Sequence, residues 1–204
     1  VPTRGRPRSF DRDQALADAM EVFWARGYAD TSMTDLTRAM GIASPSLYAA
    51  FGSKENLFRE AVRLYQQSEG GMLWKAVEEG ETAREAMEGL LLATADANAR
   101  PDRPTGCLVI LSGAHPDALP GGACDELNAI RRHTLAALED RFRKGRDAGE
   151  IAPDADLAAM TAFYTTVHQG MVFRARDGAT PDELRGTARA AMLAWDGLAG
   201  LRRS

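Results

Sequence analysis

Residues 31–58 read Thr-Ser-Met-Thr-Asp-Leu-Thr-Arg-Ala-Met-Gly-Ile-Ala-Ser-Pro-Ser-Leu-Tyr-Ala-Ala-Phe-Gly-Ser-Lys-Glu-Asn-Leu-Phe. Thr31 or Ser32 is placed to cap a helix carrying Met33, Leu36, Ala39 and Met40 as one apolar stripe. Gly41 ends it, because the residue just past a helix end is often left-handed and glycine has no Cβ to clash there. Ser44 is the expected cap of a second helix, with Pro45 at its first position, where a missing N–H costs nothing. In that short helix Leu47 and Phe51, four apart, face a core and leave Ser44, Ser46, Ala49 and Ala50 outward. Gly52 and Ser53 close it and open a third helix, whose positive N-terminal end beside Lys54 suits a phosphate. Two helices joined by a tight glycine turn form a helix-turn-helix, whose second helix fits the major groove of DNA.

The flanks agree. Arg4-Gly5-Arg6-Pro7-Arg8 precedes a helix starting near Asp11, which is expected to cap it with Gln14 reaching back as the box partner. Arginines on a Gly/Pro-interrupted arm cannot pack into a core but can thread a narrow, electronegative minor groove. The Gly-Arg-Pro centre of this arm also resembles an AT-hook, and the competing reading is a loose terminal tail. The chain therefore divides into a basic arm (1–9), a helix-turn-helix domain (10–60) and a remainder (61–204).

The run from Phe10 through Phe58 resembles the DNA-binding domain of the tetracycline-repressor-like (TetR) family of bacterial regulators. The matching residues are Phe23, Gly27, Tyr28, Thr31, Leu36, Gly41, Ile42, Leu47, Tyr48, Phe51, Ser53, Lys54, Leu57 and Phe58. The resemblance implies that Ala43, Ser44, Pro45 and Ser46 open the recognition helix and meet bases. It further implies that Tyr48 and Lys54 contact phosphates and that Thr34 contacts DNA from the preceding helix. Many relatives carry His or another large residue where this chain has Ala49 and Ala50, so few side chains here reach base edges. Part of the specificity is accordingly expected from the arm, from Thr contacts and from DNA shape.

Composition fits an all-α, cytoplasmic protein: alanine is abundant, strand-like alternation is scarce, and no apolar run approaches the length of a membrane span. No signal peptide is visible, although a chain beginning at Val1 leaves its true start open. Residues 1–60 hold eight Lys or Arg against eight Asp or Glu, out of 25 and 29 in the whole chain, so the remainder is acidic. A net charge of −4 excludes a general nucleic-acid coat but permits a focused site built from Arg4, Arg6, Arg8, Arg38 and Lys54. Cys107 and Cys124, the two cysteines, read as thiols rather than a bridge. With His115 and His133 they match no metal-ligand spacing, so neither metal nor cofactor is expected.

Past residue 60 the expected fourth helix, opened at Ser53, runs on as a mechanical link to about Glu78. Thr82-Ala-Arg-Glu85 is a capping box for a helix carrying Ala86, Met87, Leu90 and Leu91, and Asn98 to Thr105 is a loop. Gly106 to Leu111 is a short buried segment that periodicity allows as helix or strand; a helix suits the setting. Its Gly-Cys-Leu run resembles the sixth helix of one branch of the same family. Pro116 to Gly122 is another break, and a long helix from about Ala123 to Ala148 follows. Two more helices, about 156–176 and 180–201, complete the chain, the second opening on Thr-Pro-Asp-Glu. In relatives the last two helices of each subunit form a four-helix homodimer interface. A two-fold partner is also a physical need, since two recognition helices must be held about one DNA turn apart.

Trp74, Met87, Leu91, Leu111, Phe142, Phe163, Tyr164 and His168 are candidates to line a pocket for a small-molecule effector, although apolar walls describe a packed core equally well. The expected function is a homodimeric regulator, most simply a repressor, that leaves double-stranded operator DNA when an apolar or amphipathic ligand binds. One rival is an architectural DNA binder that senses nothing. An all-helical enzyme is another, but His115, His133 and His168 lie without partners of suitable spacing, so no catalytic residue is expected.

Overall fold

The computed structural model describes residues 10–100, 102–113 and 119–201, and these contain helices and turns without a strand. The helices are α1 (Arg12–Arg26), α2 (Met33–Met40), α3 (Ser44–Phe51), α4 (Lys54–Gln67), α5 (Glu69–Glu79), α6 (Ala83–Ala97), α7 (Leu108–Ser112), α8 (Gly121–Asp147), α9 (Leu157–Arg176), α10 (Pro181–Met192) and α11 (Trp195–Leu198). The all-α expectation holds, and so do the capping boxes at Thr82–Glu85 and Thr180–Glu183. Arg4, Arg6, Arg8 and His115 lie outside the described residues.

Several features differ from the sequence reading, among them the start of α8, which begins at Gly121 within the expected break. Asp11 caps α1 by accepting from the Asp13 and Gln14 amides, but the Gln14 side chain donates to Asp18 at 2.9 Å instead of reaching back. The expected link to Glu78 breaks at Ser68 (φ −115°, ψ −98°), whose hydroxyl donates to the Leu64 carbonyl at 2.8 Å. Glycines make this break possible: a Cβ on Gly70 would stand 2.8 Å from the Tyr65 ring, and one on Gly71 would stand 2.6 Å from the Gln66 carbonyl oxygen. The last helix is also divided, α10 ending at Met192 and a single turn, α11, returning the chain so that Ala199 accepts from the Ala152 amide at 2.8 Å.

Two apolar cores result. One packs α5, α6, α8, α9 and α10 around Met87, Leu91, Phe142, Tyr164 and Trp195. Its aromatic centre places Tyr164 6.1 Å from Phe142 and 5.6 Å from Trp195, ring to ring. The other core gathers α1 to α4 around Phe23, Leu36, Leu47, Leu57 and Phe58, and it also includes Leu108 and Val109 of α7 with Ala123 and Leu127 of α8. The helix-turn-helix is thus closed by helices from the second half of the chain.

Tyr164 brings one polar atom into the first core without a partner: its Oη is buried and makes no hydrogen bond among the described residues. Burial pushes the phenol up to about 12, so it stays neutral. An unpaired buried hydroxyl costs free energy, so Tyr164→Phe should leave the fold intact and match or raise stability by about 1 kcal/mol in urea melts. Destabilisation by more than that amount would mean the hydroxyl is bonded after all.

Candidate nucleic-acid interface

Local chemistry sets the reading head. Ser32 caps α2 in a reciprocal box, its hydroxyl accepting from the Asp35 amide while Asp35 accepts from the Ser32 amide at 3.0 Å. Of the two sequence alternatives for this cap, Thr31 is excluded: it is buried, and its hydroxyl donates to the Gly27 carbonyl at 2.6 Å. Asp35 also pairs with Arg26 at 3.0 Å, tying the start of α2 to the end of α1. Hydrogen bonds to Ser32, foremost, hold the Asp35 carboxyl below the usual carboxylate range.

Gly41 lies in the left-handed region (φ 63°, ψ 27°), and its amide and that of Ile42 return to the Arg38 and Thr37 carbonyls. This tight reversal sets α3 across α2. The N-cap of α3 is Ala43, not the expected Ser44; no side chain caps it, and Pro45 takes the second helical position. Ala43 is extended (φ −76°, ψ 150°) while its carbonyl accepts from the Ser46 and Leu47 amides.

One face of α3 is locked and the other is free. Leu47 and Phe51 are buried, whereas Ala43, Ser44, Pro45 and Ala49 are exposed, Ser46 is partly covered and Tyr48 stands 50% exposed. Thr34 lies exposed on α2. Beyond the Gly52–Ser53 corner, Ser53 caps α4 by accepting from the Asn56 amide at 3.0 Å, and the Lys54 ammonium sits 4.2 Å over the Tyr28 ring. Burial pushes the Lys54 amine down, with Asp30 acting the other way. A short helix that presents two serine hydroxyls and the Tyr48 phenol, followed by an ammonium at the next helix start, can meet bases and phosphates together.

Arg12 was missed by the sequence reading as anything but part of a helix. Its guanidinium donates to Glu60 at 2.7 Å and lies 4.4 Å over the Phe51 ring, so it braces α1, α3 and α4 instead of facing outward. Residues that far apart in sequence leave no local signal.

Longer connections join this head to the remaining helices. The Trp24 indole donates to the Gly106 carbonyl at 2.9 Å, and Arg176 donates to the carbonyls of Ala25 and Thr105. On α8, Glu126 accepts from Arg59 at 2.7 Å and from Arg63 at 2.6 Å, both on α4. Burial alone would raise the Glu126 carboxyl, but the two guanidinium bonds prevail and hold it below its ordinary value.

The expected pocket residues are divided between the first core and separate spaces. Met87, Leu91, Phe142 and Tyr164 are fully buried side chains of the first core; filling and lining leave the same apolar spacing in a sequence. Phe163 is 37% exposed on the outer side of α9, and Leu111 borders a separate cleft with Trp24, Tyr28 and Phe173. Trp74 does line a cavity of about 500 Å³ between α4–α5 and α8, and His168 lines a smaller adjoining space. Cys107 and Cys124 are free, half-buried thiols. No group of three or more metal-ligating side chains converges among the described residues, and no helix there is long and apolar enough to cross a membrane.

Comparison with known proteins matches this geometry at both ends. Residues 15–61 match the family model described as bacterial regulatory proteins, tetR family, and residues 83–192 match the tetracyclin repressor-like C-terminal domain. The HTH-type transcriptional repressor ComR of Escherichia coli (strain K12) is 32% identical over 200 residues, covering 95% of this chain and 92% of that one. The HTH-type transcriptional repressor BdcR of the same organism is 29% identical over 185 residues, covering 90% and 88%. Among solved structures, a cysteine mutant of the regulator CifR complexed with 26bp double-strand operator DNA superposes with a TM-score of 0.87 at 39% identity, covering 94% of this chain and 100% of that one.

The turn between α2 and α3 offers a clean test. A Cβ on Gly41 would meet nothing within 4 Å, so the cost of Gly41→Ala is the left-handed backbone alone, about 1 kcal/mol. Gly41→Asn should recover part of that loss in thermal melts, because asparagine tolerates this conformation. Equal stability of all three proteins would show that the turn is not held left-handed.

Proposed function

The chain belongs to the tetR family of bacterial regulatory proteins, a helix-turn-helix transcriptional regulator, and we propose that it is a homodimeric, operator-specific repressor released from DNA by a small apolar or amphipathic ligand. The observation that carries this reading is the divided α3: Leu47 and Phe51 are anchored in the core while Ala43, Ser44, Pro45 and Tyr48 are presented to solvent. In this reading Ala43, Ser44, Pro45 and Ser46 face base edges, Tyr48 and Lys54 take phosphates, and Thr34 adds a contact from α2. Arg4, Arg6 and Arg8 on the arm (1–9) follow the minor groove, residues 10–60 read DNA, and residues 61–204 sense and dimerise. The relatives' names as repressors and the operator DNA bound by CifR support the repressor assignment. The protein acts by binding, without catalysis or cofactor, in the cytoplasm.

An outward stripe supports the dimer. Along α9, Ala159, Ala162, Phe163, Thr166, Gly170 and Phe173 are exposed at helical spacing, and α10 adds Ala190 with Leu193 just past its end. Phe163, Phe173 and Leu193 are 37%, 40% and 75% exposed, more apolar surface than a lone helix pair gains by showing to water. Small residues between them allow a second copy to approach closely.

Release follows from a population shift. The cavity of about 500 Å³ bordered by Gln66, Trp74, Ile130 and Thr134 lies between α5 and α8, next to the Glu126 clamp on Arg59 and Arg63. A ligand that favours α8 displaced from α4 weakens that clamp and turns the heads. It lowers DNA affinity only by its preference between the two states.

DNA titrations of purified protein check the contacts. Lys54→Gln should weaken operator binding and lower the slope of log affinity against log salt by about 1, and Tyr48→Phe should weaken it less without changing that slope. Unchanged affinity and slope in Lys54→Gln would remove the phosphate role and with it the placement of α4 against the duplex.

A further inference from the structure

The cavity assigned above to the effector has an inner end of different chemistry. The space of about 500 Å³ shares Gln66, Trp74, Ile130 and Thr134 with a second, of about 50 Å³, that reaches inward between α5, α7 and α9 to His168. A ring system fits the outer space, and the inner one accommodates no more than one functional group. On the α5 side Gly71 borders the outer part and Gly70 the inner part, so this wall carries no side chain at either place and favours a flat molecule.

His168 is 8% exposed, and its Nε2 is sealed from water with no hydrogen-bond partner among the described residues. An unpaired buried nitrogen is costly, so pairing free energy is available to a molecule that enters the inner space, parts its walls at His168 and brings its own polar group. Burial also lowers the imidazole to about 4, which leaves it neutral at neutral pH. Arg131, which also lines the inner space, donates to Asn128 at 3.1 Å and to the Val109 carbonyl at 3.2 Å, so both terminal nitrogens of its guanidinium are held on neutral acceptors. At the outer side Glu78 opposes a carboxylate.

We propose that this cavity binds a flat, neutral, apolar molecule carrying one hydroxyl or carbonyl, its body against Trp74 and Ile130 and its polar group paired with His168 Nε2. This rests on the reading of the cavity as the effector site and adds the ligand's chemical class. Anions are disfavoured because the neutral imidazole gives a buried carboxylate no charge to pair with, the terminal nitrogens of Arg131 are held by Asn128 and Val109, and Glu78 stands at the outer side; plain hydrocarbons are disfavoured because they leave the nitrogen unpaired.

Full-length protein titrated calorimetrically with 2-naphthol, naphthalene and 2-naphthoate distinguishes these classes, the three probes sharing one ring system. 2-Naphthol should bind roughly tenfold more tightly than either of the others. His168→Phe should bring 2-naphthol down to the affinity of naphthalene, and His168→Gln, which keeps a neutral hydrogen-bonding group, should restore part of the difference. In the unaltered protein the His168 imidazole resonances should shift with 2-naphthol and not with naphthalene, a readout that does not need either variant to fold. Equal binding of 2-naphthol and naphthalene, tighter binding of 2-naphthoate, no 2-naphthol binding at millimolar concentration, or full 2-naphthol affinity in His168→Phe would each overturn the proposal. Operator binding measured in the same samples separates the two levels: His168-dependent 2-naphthol binding that leaves DNA affinity unchanged keeps the ligand chemistry and removes the effector role.

Discussion

The reading head does not own its hydrophobic core. Phe23, Trp24, Leu36, Leu47 and Phe58 pack in one continuous cluster with Leu108 and Val109 of α7 and Ala123 and Leu127 of α8. Trp24 is the pivot: its ring meets Tyr65 edge-on at 4.9 Å, and its indole N–H is spent on the Gly106 carbonyl. Burying such side chains stabilises by about 1.5–3 kcal/mol each, so α7 and the first turns of α8 cannot shift far without unpacking the helices that hold α3. Close packing makes the head and the body one mechanical unit.

The proposed sensing site lies along that same contact. On α8, Glu126 and Ile130 are one turn apart, the first holding Arg59 and Arg63 and the second lining the cavity. On α4, Gln66 follows Arg63 by three residues and borders the same cavity. In this proposal the path from ligand to DNA runs through two rigid helices and a two-armed ion pair, not through loops. Both arginines are partly exposed, so the clamp's own contribution is modest. Modest is sufficient, because coupling between two sites is typically about 1–3 kcal/mol.

How much of this was legible in the sequence depends on whether the cause is local. Gly41, the Leu47/Phe51 spacing and the capping boxes act within a few residues, and each is visible as a pattern. The break at Ser68 was not, since apolar spacing continues across it and the reason, the turn at Ser68 that folds Gly70 and Gly71 close against Tyr65 and Gln66, leaves no mark on that spacing. Trp24 with Gly106 and Arg59 with Glu126 pair residues far apart in the chain, which no periodicity announces. Among the pocket candidates, Phe142 and Tyr164 fill the core while Trp74 and His168 border space. For the aromatic candidates, residue type does not foretell which of the two they do. His168 is a polar side chain buried on a largely apolar helix, and its unpaired nitrogen gives that oddity a physical form.

Protection of the DNA upstream of the protein's own gene, mapped at nucleotide resolution with purified protein at low salt, addresses the central claim most directly. A symmetric pair of subunits each placing α3 in the major groove predicts one short protected pseudo-palindrome, its half-sites about 34–36 Å apart or a multiple of that. Broad, sequence-indifferent coverage, or none, would contradict it.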